Sequence, residues 1–132
     1  MVTIMNGGKD LQSKDTVFLD KAGIVNVLLE GKQTYQAIRH ASDEMDALSA
    51  KLRREGKPVY VLVDISKMGG HDSGARREGY ERLFTIYYDK FAMFGGGLFL
   101  KSVANLVVKA TKLGNKVKVF NTREEAIRWL KS

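Results

Sequence analysis

The alternation of apolar and polar residues breaks down in one short stretch, residues 59–64, where the apolar run is nearly unbroken and rich in β-branched side chains. Such a run predicts a central parallel strand, because a strand covered on both faces loses its polar alternation. Pro58, the only proline of the chain, stands directly before it, where a strand tolerates a missing N–H. Crevices for ligands and partners form at the carboxyl ends of such strands. We therefore expect the surface that binds ligands or partners to include the loop predicted after Asp64.

Shorter strand patterns occur on both sides of this run. Residues 16–20 and 24–29 are β-branched runs separated by a short connection that contains glycine, which predicts an antiparallel hairpin ended by Gly31. Residues 91–94 predict another buried strand, ended by three glycines. Residues 116–120 alternate lysine with valine, which is typical of an edge strand because lysine discourages unwanted pairing.

Helical spacing of apolar residues predicts four helices. The longest covers residues 33–55, with an apolar stripe at steps of three and four residues and Gly56 as its stop. The second begins at Asp72 or Ser73, either of which can cap it, and runs to about Tyr88. The third and fourth cover residues 98–113 and 123–131, the last with Thr122 and Glu125 at capping-box spacing.

The predicted order is β-β-α-β-α-β-α-β-α. A hairpin followed by three crossovers predicts the α/β class, with a single mixed, mostly parallel sheet, an N-terminal β-hairpin and four helices. We assign residues 16–132 to one domain and residues 1–15, which are polar and show no sustained period, to an N-terminal arm.

Composition narrows the class of protein. The chain has 132 residues, 44% apolar and 28% charged, which suits one soluble globular domain. It lacks cysteine, long apolar runs and a signal-peptide pattern at its start, so the sequence predicts a cytoplasmic protein without disulfides, thiolate metal sites or a membrane span.

Charge is concentrated near the end of the sequence. The net charge is +7, and residues 91–132 hold eight basic residues against two acidic ones. This excess suits either a solubilising surface or an anionic partner. Nucleic acid is not expected, because the aromatic residues fall at core spacing and do not form a stacking platform among the lysines.

The predicted helix at residues 98–113 is apolar around most of its circumference, with its lysines confined to one side. A sheet contact needs an apolar stripe only somewhat wider than about 100°. A neighbouring helix, a partner subunit of a homo-oligomer or a hydrophobic ligand must therefore cover the remainder. The candidate ligand-binding residues on this helix are Phe99, Val103, Leu106 and Val107.

The start of that helix partly matches a phosphate-binding P-loop. Gly95, Gly96 and Gly97 precede Lys101 and Ser102, but Leu100 stands where the second glycine of the motif belongs. Exposed N–H groups there could hold an anion or nucleotide weakly, with Gly95, Gly96, Gly97 and Lys101 as the candidate residues. The alternative is a tight turn between strand and helix.

No arrangement of residues predicts catalysis. His40 and His71 lack a partner at metal-ligand spacing. His71 with Asp64, Asp72 and Ser73 has the residue types of a hydrolase, but the Gly-x-Ser-x-Gly motif is absent. We therefore predict a protein that is not an enzyme, with no catalytic residue, metal or cofactor.

Three strings resemble the SpoIIAA-like proteins of the STAS-like superfold, whose relatives share a fold type with lipid-carrying CRAL-TRIO domains. They are residues 61–66 (VLVDIS), 89–94 (DKFAMF) and 120–130 (FNTREEAIRWL). The last is the most specific, because it resembles the family's closing helix. The resemblance implies a non-catalytic binding or regulatory module with a protein partner, or alternatively a carrier or sensor of a lipid or other small hydrophobic ligand.

The resemblance also implies a switch. In anti-sigma-factor antagonists, a serine at the start of the helix after the central strand is phosphorylated. Asp72-Ser73-Gly74 is similar to a shortened form of that motif, so Ser73 is the phosphorylation candidate, with a simple helix cap as the alternative. The candidate partner-binding residues are Ser66, His71, Asp72, Ser73, Arg76 and Arg77.

Overall fold

The computed structural model describes residues 14–110 and 112–132. Residues 1–13 of the predicted arm lie outside the described residues. The described elements are β1 (Thr16–Leu19), β2 (Ile24–Gln33), α1 (Tyr35–Arg54), β3 (Tyr60–His71), α2 (Ser73–Thr85), β4 (Lys90–Phe94), α3 (Gly97–Lys109), β5 (Val117–Phe120) and α4 (Arg123–Leu130). The predicted order and fold class are confirmed.

The five strands form one mixed sheet in the order β1-β2-β3-β4-β5. The pair β1 and β2 is antiparallel, and all other neighbours are parallel. Val61 of β3 pairs with Val25 on one side and with Phe91 on the other. The apolar run at residues 59–64 is therefore the central strand, as its pattern predicted.

Alternate side chains of the central strand enter two different cores. Val61 and Leu62 are 0% and 1% exposed, although they point to opposite faces of the sheet. The larger core contains Val61 and residues of α1, α2 and α3, whereas the smaller core contains Leu62 and residues of α4. Right-handed crossovers that advance in one direction across a sheet place their helices on one face, which leaves the other face for α4.

The two longest strands continue beyond their predicted ends. We predicted a stop at Gly31 and a loop after Asp64; both predictions were wrong, because β2 reaches Gln33 and β3 reaches His71. Residues of the two extensions pair with each other through two register shifts, ending at Gln33 and His71. Bulges of this kind accommodate glycine and polar residues in a strand. Because the extension consists largely of such residues, its sequence shows no apolar strand pattern.

Two helix ends also differ from prediction. Helix α2 ends at Thr85, not near Tyr88, and α3 ends at Lys109, not at residue 113. Tyr88 is buried beyond α2, where its hydroxyl donates a hydrogen bond to the Leu83 carbonyl. Next to it, the Asp89 carboxylate accepts from the Val59 N–H at 2.8 Å. These bonds fix the chain before β4 in a non-helical path.

Candidate functional site at the carboxyl edge of the sheet

Three helices begin at the edge where β2, β3 and β4 end. Thr34 caps α1, because its hydroxyl accepts from the Ala37 N–H at 3.1 Å. Asp72 caps α2, because its carboxylate accepts from the Ala75 N–H at 2.8 Å. Helix α3 follows Gly96, which provides no side-chain cap. Since a helix N-terminus carries partial positive charge, this edge is electropositive before any side chain is counted.

Ser73 is the first residue of α2 and is exposed to solvent. The cap of that helix is Asp72, so the Ser73 hydroxyl is not needed to satisfy the Ala75 N–H. Arg76 and Arg77 are also exposed and follow within one helical turn. Residues three and four positions apart are neighbours on a helix surface, so both guanidinium groups can reach a group attached to Ser73.

His71 connects this helix start with α3. Its ring lies edge-on to the Phe99 ring, with centroids 4.9 Å apart and an interplanar angle of 68°. His71 is half-buried and Phe99 is buried. The structure therefore brings His71, one of the predicted partner-binding residues, against the beginning of the helix for which we predicted ligand binding.

Gly95 and Ser66 are in close approach. A Cβ added at Gly95 would lie 2.5 Å from the Ser66 backbone nitrogen, and the φ of Gly95 is +130°. Ser66 also donates two hydrogen bonds to Asp64 Oδ1, from its N–H at 2.9 Å and its hydroxyl at 2.6 Å. This is the tight turn that we considered for residues 95–97. Lys101 is exposed one turn into α3, and anion binding there stays a prediction.

Helix α1 contributes two residues that the sequence patterns did not single out. A Cβ added at Gly74 would lie 3.2 Å from the Tyr35 Cβ, so the starts of α1 and α2 are adjacent. The Tyr35 hydroxyl accepts from Arg39 Nη1 at 2.7 Å. This hydrogen bond raises the pKa of Arg39. The spacing of Tyr35 and Arg39, four residues apart at the start of a helix, was the signal available in the sequence.

Cationic side chains predominate at this edge. Lys67, Arg76 and Arg77 are exposed, and none of them forms a salt bridge with another residue in the described part of the chain. Two of the nearby acids have local partners, since Asp72 caps α2 and Asp64 accepts from Ser66. The surface is therefore suited to an anionic group or an acidic protein.

The four predicted ligand-binding residues belong to the main core. Phe99 and Val103 are buried, and Leu106 and Val107 are half-buried against the same core. Phe99 and Val103 line an apolar cavity of about 50 Å³ between the sheet and the helices. Ligand pockets usually measure about 300–1,000 Å³, so the cavity is too small for a lipid chain in this conformation.

The comparison with family models decides the family. The model described as SpoIIAA-like matches residues 24–131. The chain belongs to the SpoIIAA-like family. The match includes β2 to β5 and all four helices, and therefore every predicted site residue.

Two solved structures show the same fold as this SpoIIAA-like domain. One is an uncharacterized protein of the DUF3478 family from Shewanella loihica PV-4, with 16% identity, a TM-score of 0.59 and 98% of each chain covered. The other is the anti-sigma factor antagonist SpoIIAA in its unphosphorylated form, with 13% identity and a TM-score of 0.54 over 90% of this chain and 99% of that chain. The comparison with curated proteins gave no match.

The described part of the SpoIIAA-like domain also bears on membrane spans and metal sites. Among residues 14–110 and 112–132, no helix has the length and apolar character needed to cross a membrane. Over the same residues, no group of three or more His, Cys, Asp or Glu is placed to hold a metal ion.

Proposed function

We propose that this SpoIIAA-like protein is a non-catalytic regulatory module that binds a protein partner and is switched by phosphorylation. The binding surface is the Ser73 surface, which we define as Ser66, His71, Asp72, Ser73, Arg76 and Arg77. The observation that carries the proposal is that Ser73 is exposed at the first position of α2 and that Asp72, not Ser73, caps this helix. The solved structure of SpoIIAA, described as an anti-sigma factor antagonist in its unphosphorylated form, supports a switch at this fold.

The direction of the switch follows from charge. The unmodified surface carries Arg76 and Arg77 at the N-terminus of α2, so it attracts an acidic partner. A phosphate on Ser73 would add a charge of about −1.5 to −2 within reach of both arginines. Phosphorylation therefore neutralises the surface and weakens binding to that partner.

The sequence makes the phosphorylation test unambiguous. Trypsin cleaves after Lys67 and Arg76, and Ser73 is the only hydroxyl-bearing residue between these two cuts. Ser66 falls in the preceding peptide. Protein purified from its native cells with phosphatase inhibitors should yield the phosphorylated form of peptide 68–76 by mass spectrometry. Its absence under conditions that preserve other phosphopeptides would reject the switch.

Partner binding needs a separate test with a matched control. We expect immobilised wild-type protein to retain a partner from native lysate, and Ser73→Asp or the double variant Arg76→Glu, Arg77→Glu to lose it. The double variant Arg54→Glu, Lys57→Glu, an equal reversal at the exposed far end of α1 and the turn after it, should retain it, since a 20-residue helix is about 30 Å long. Equal retention by all variants would contradict the Ser73 surface as the binding site.

The carrier of a hydrophobic ligand stays a prediction. The small volume of the cavity beside Phe99 and Val103 does not favour it. Native mass spectrometry of the purified protein tests it directly, because a carrier would retain an acyl ligand.

A further inference from the structure

Strand β5 forms an edge of the sheet that no other described strand covers. It is the last strand in the sheet order, and within residues 14–110 and 112–132 its single partner strand is β4. An open groove of about 520 Å³ runs beside it, lined by residues that include Leu100 of α3, Val119 and Phe120 of β5, and Arg128 and Trp129 of α4. We call this the β5 groove. Its position is distinct from the Ser73 surface, because it follows the side of the sheet and not the strand ends.

The open edge presents backbone groups that can pair. Phe91 of β4 lies opposite Val117, and its N–H donates to the Lys116 carbonyl at 2.7 Å. In a parallel ladder the backbone groups of successive residues point alternately to the two sides. The backbone N–H and C=O groups of Lys118 and Phe120 therefore point towards β4, whereas those of Val119 point outward. No backbone bond to Val119 from that side occurs in the described part of the chain.

The two helical layers form walls on both sides of this edge. Leu100 provides an apolar wall from α3, on the face where Val119 packs against the main core. Trp129 provides the opposite wall from α4, with its ring 5.7 Å from the Phe120 ring. An added strand would direct successive side chains to these two walls in turn. The groove therefore suits an extended segment in which two kinds of side chain alternate, one kind facing each wall.

The charge of the α4 wall determines which side chains of an added strand would face that wall. Lys118 Nζ lies 5.6 Å from the centroid of the Trp129 ring, whereas Lys90 Nζ is engaged by the Trp129 and Ser132 carbonyls at 3.0 and 3.1 Å. Arg128 is exposed in the groove, where Glu125 is the acid. This wall favours acidic side chains, whereas the Leu100 wall favours apolar ones.

We propose that the β5 groove binds an extended acidic segment of another protein, which adds to the sheet as a sixth strand. The segment alternates apolar residues, directed to Leu100, with acidic residues, directed to Arg128 and Lys118. A second copy of this chain is a poor occupant, because pairing of two β5 edges would bring their lysines together, and like charges across strands destabilise pairing. Backbone pairing gives affinity and the alternate pockets give specificity.

The probe is the peptide acetyl-Thr-Val-Glu-Val-Glu-Val-Thr-amide, compared with the same peptide carrying lysine for glutamate. Trp129 is the only tryptophan of the chain and lies in the groove, so its fluorescence reports binding. We expect saturable binding of the acidic peptide, with changes in the backbone amide resonances of residues 117–121. No saturable change at about 1 mM peptide, the weak end of specific recognition, would overturn the proposal, as would equal binding of the lysine peptide.

Methylated peptides test the backbone pairing without altering the protein. Antiparallel addition places the valine N–H groups against β5, whereas parallel addition places the glutamate N–H groups there. We expect methylation of one of these two sets to weaken binding by at least about tenfold, the effect of losing about one or two hydrogen bonds. Undiminished binding of both methylated peptides would show that no strand is added.

Protein variants test the charge of the α4 wall. Arg128→Glu should weaken binding of the acidic peptide about tenfold, and Lys21→Glu, an exposed reversal in the turn beside the opposite edge strand, should leave it unchanged. Equal effects of the two variants would show attraction by net charge alone and overturn the site. Self-association that shifts the Val119 amide in the absence of peptide would replace the acidic segment with a second copy as the occupant.

Discussion

Two glycines at the main core should respond in opposite ways to alanine. Gly79 lies within α2 and lines the cavity, and a Cβ there would lie 3.6 Å from the Phe99 ring, an ordinary contact distance. Gly95 has a φ of +130°, and a Cβ there would lie 2.5 Å from the Ser66 nitrogen and 2.8 Å from the Ile65 carbonyl carbon. Both of those atoms are backbone, so no side-chain rotation can relieve the overlap.

The two magnitudes follow from these geometries. Gly79→Ala gains about 0.8–1 kcal/mol of helix propensity and part of the roughly 0.8 kcal/mol of a buried methyl group, for a total of about 1–1.5 kcal/mol. Gly95→Ala costs about 1–3 kcal/mol for a backbone conformation reserved for glycine and a further 1–3 kcal/mol, roughly, for overpacking. The total of about 2–6 kcal/mol is a large part of the usual stability of about 5–15 kcal/mol.

Urea denaturation followed by Trp129 fluorescence measures both changes. Gly79→Ala should also raise the melting temperature by about 3–5 °C. Gly23→Ala is the matched control for Gly95→Ala, because Gly23 has a φ of +84° but no atom within 4 Å of an added Cβ. If Gly95→Ala costs no more than Gly23→Ala, the close approach to β3 is refuted. A loss of stability in Gly79→Ala would refute the assigned space beside Phe99.

Three further predictions concern a cap, a phenol and an ion pair. Asp72→Ala should lower the free energy of unfolding by about 1 kcal/mol and Ser73→Ala by less than about 0.5 kcal/mol in urea denaturation; equal losses would contradict Asp72 as the sole cap. Burial raises the pKa of Tyr88 from 10.0 to about 12, so its stabilisation is complete below pH 10 and is lost as the pH rises through 12, a change of about 2.7 kcal/mol. Unfolding measured over that range should decline less in Tyr88→Phe, and identical declines would exclude Tyr88 as the source. Arg82→Met should lower the free energy of unfolding by about 2–3 kcal/mol, because it leaves the buried Glu78 unpaired. The double variant with Glu78→Gln should recover part of this stability. If it recovers none, the unpaired carboxylate is not the cause.

The elements that could be predicted from sequence are those with local signals. The apolar run of β3 is central because its residues need cover on both faces. Thr122 caps α4 by accepting from the Glu125 N–H at 3.2 Å, at the spacing that predicted it. Each of these features depends on a few neighbouring residues, so the sequence alone contains the information.

The extension of β2 and β3 could not be predicted in this way. Ser66 and Lys67 are exposed and the glycines after them are typical of a loop, so nothing local favours a strand. The strand exists because Lys67 pairs with Glu30 and His71 with Gln33, residues far away in the sequence. Pairing of this kind depends on the partner strand and not on intrinsic propensity.

The candidate site was predicted in part for the same reason. Ser73 and its arginines lie on one helix and share one local motif. Tyr35 and Arg39 reach the same edge from another helix, and their proximity is set by the parallel arrangement of β2 and β3. Likewise, no local pattern indicates that Glu78 is buried, where it pairs with Arg82, which also pairs with Asp43 of α1.

The Ser73 surface and the β5 groove should act independently, because different physical features create them. The first depends on helix N-termini at the ends of β2 and β3, and the second on backbone groups of β5 that have no partner strand among the described residues, with β4 lying between. Ser73→Asp should therefore leave binding of the acidic peptide, measured by Trp129 fluorescence, within about twofold of wild type, since α2 and α4 pack on opposite faces of the sheet and salt screens exposed charges with a Debye length of about 10 Å. Arg128→Glu should equally leave the extent of phosphorylation of peptide 68–76 unchanged. If either variant alters both readouts, the two regions form one continuous interface, and the separation of a switch from a strand-binding edge is wrong.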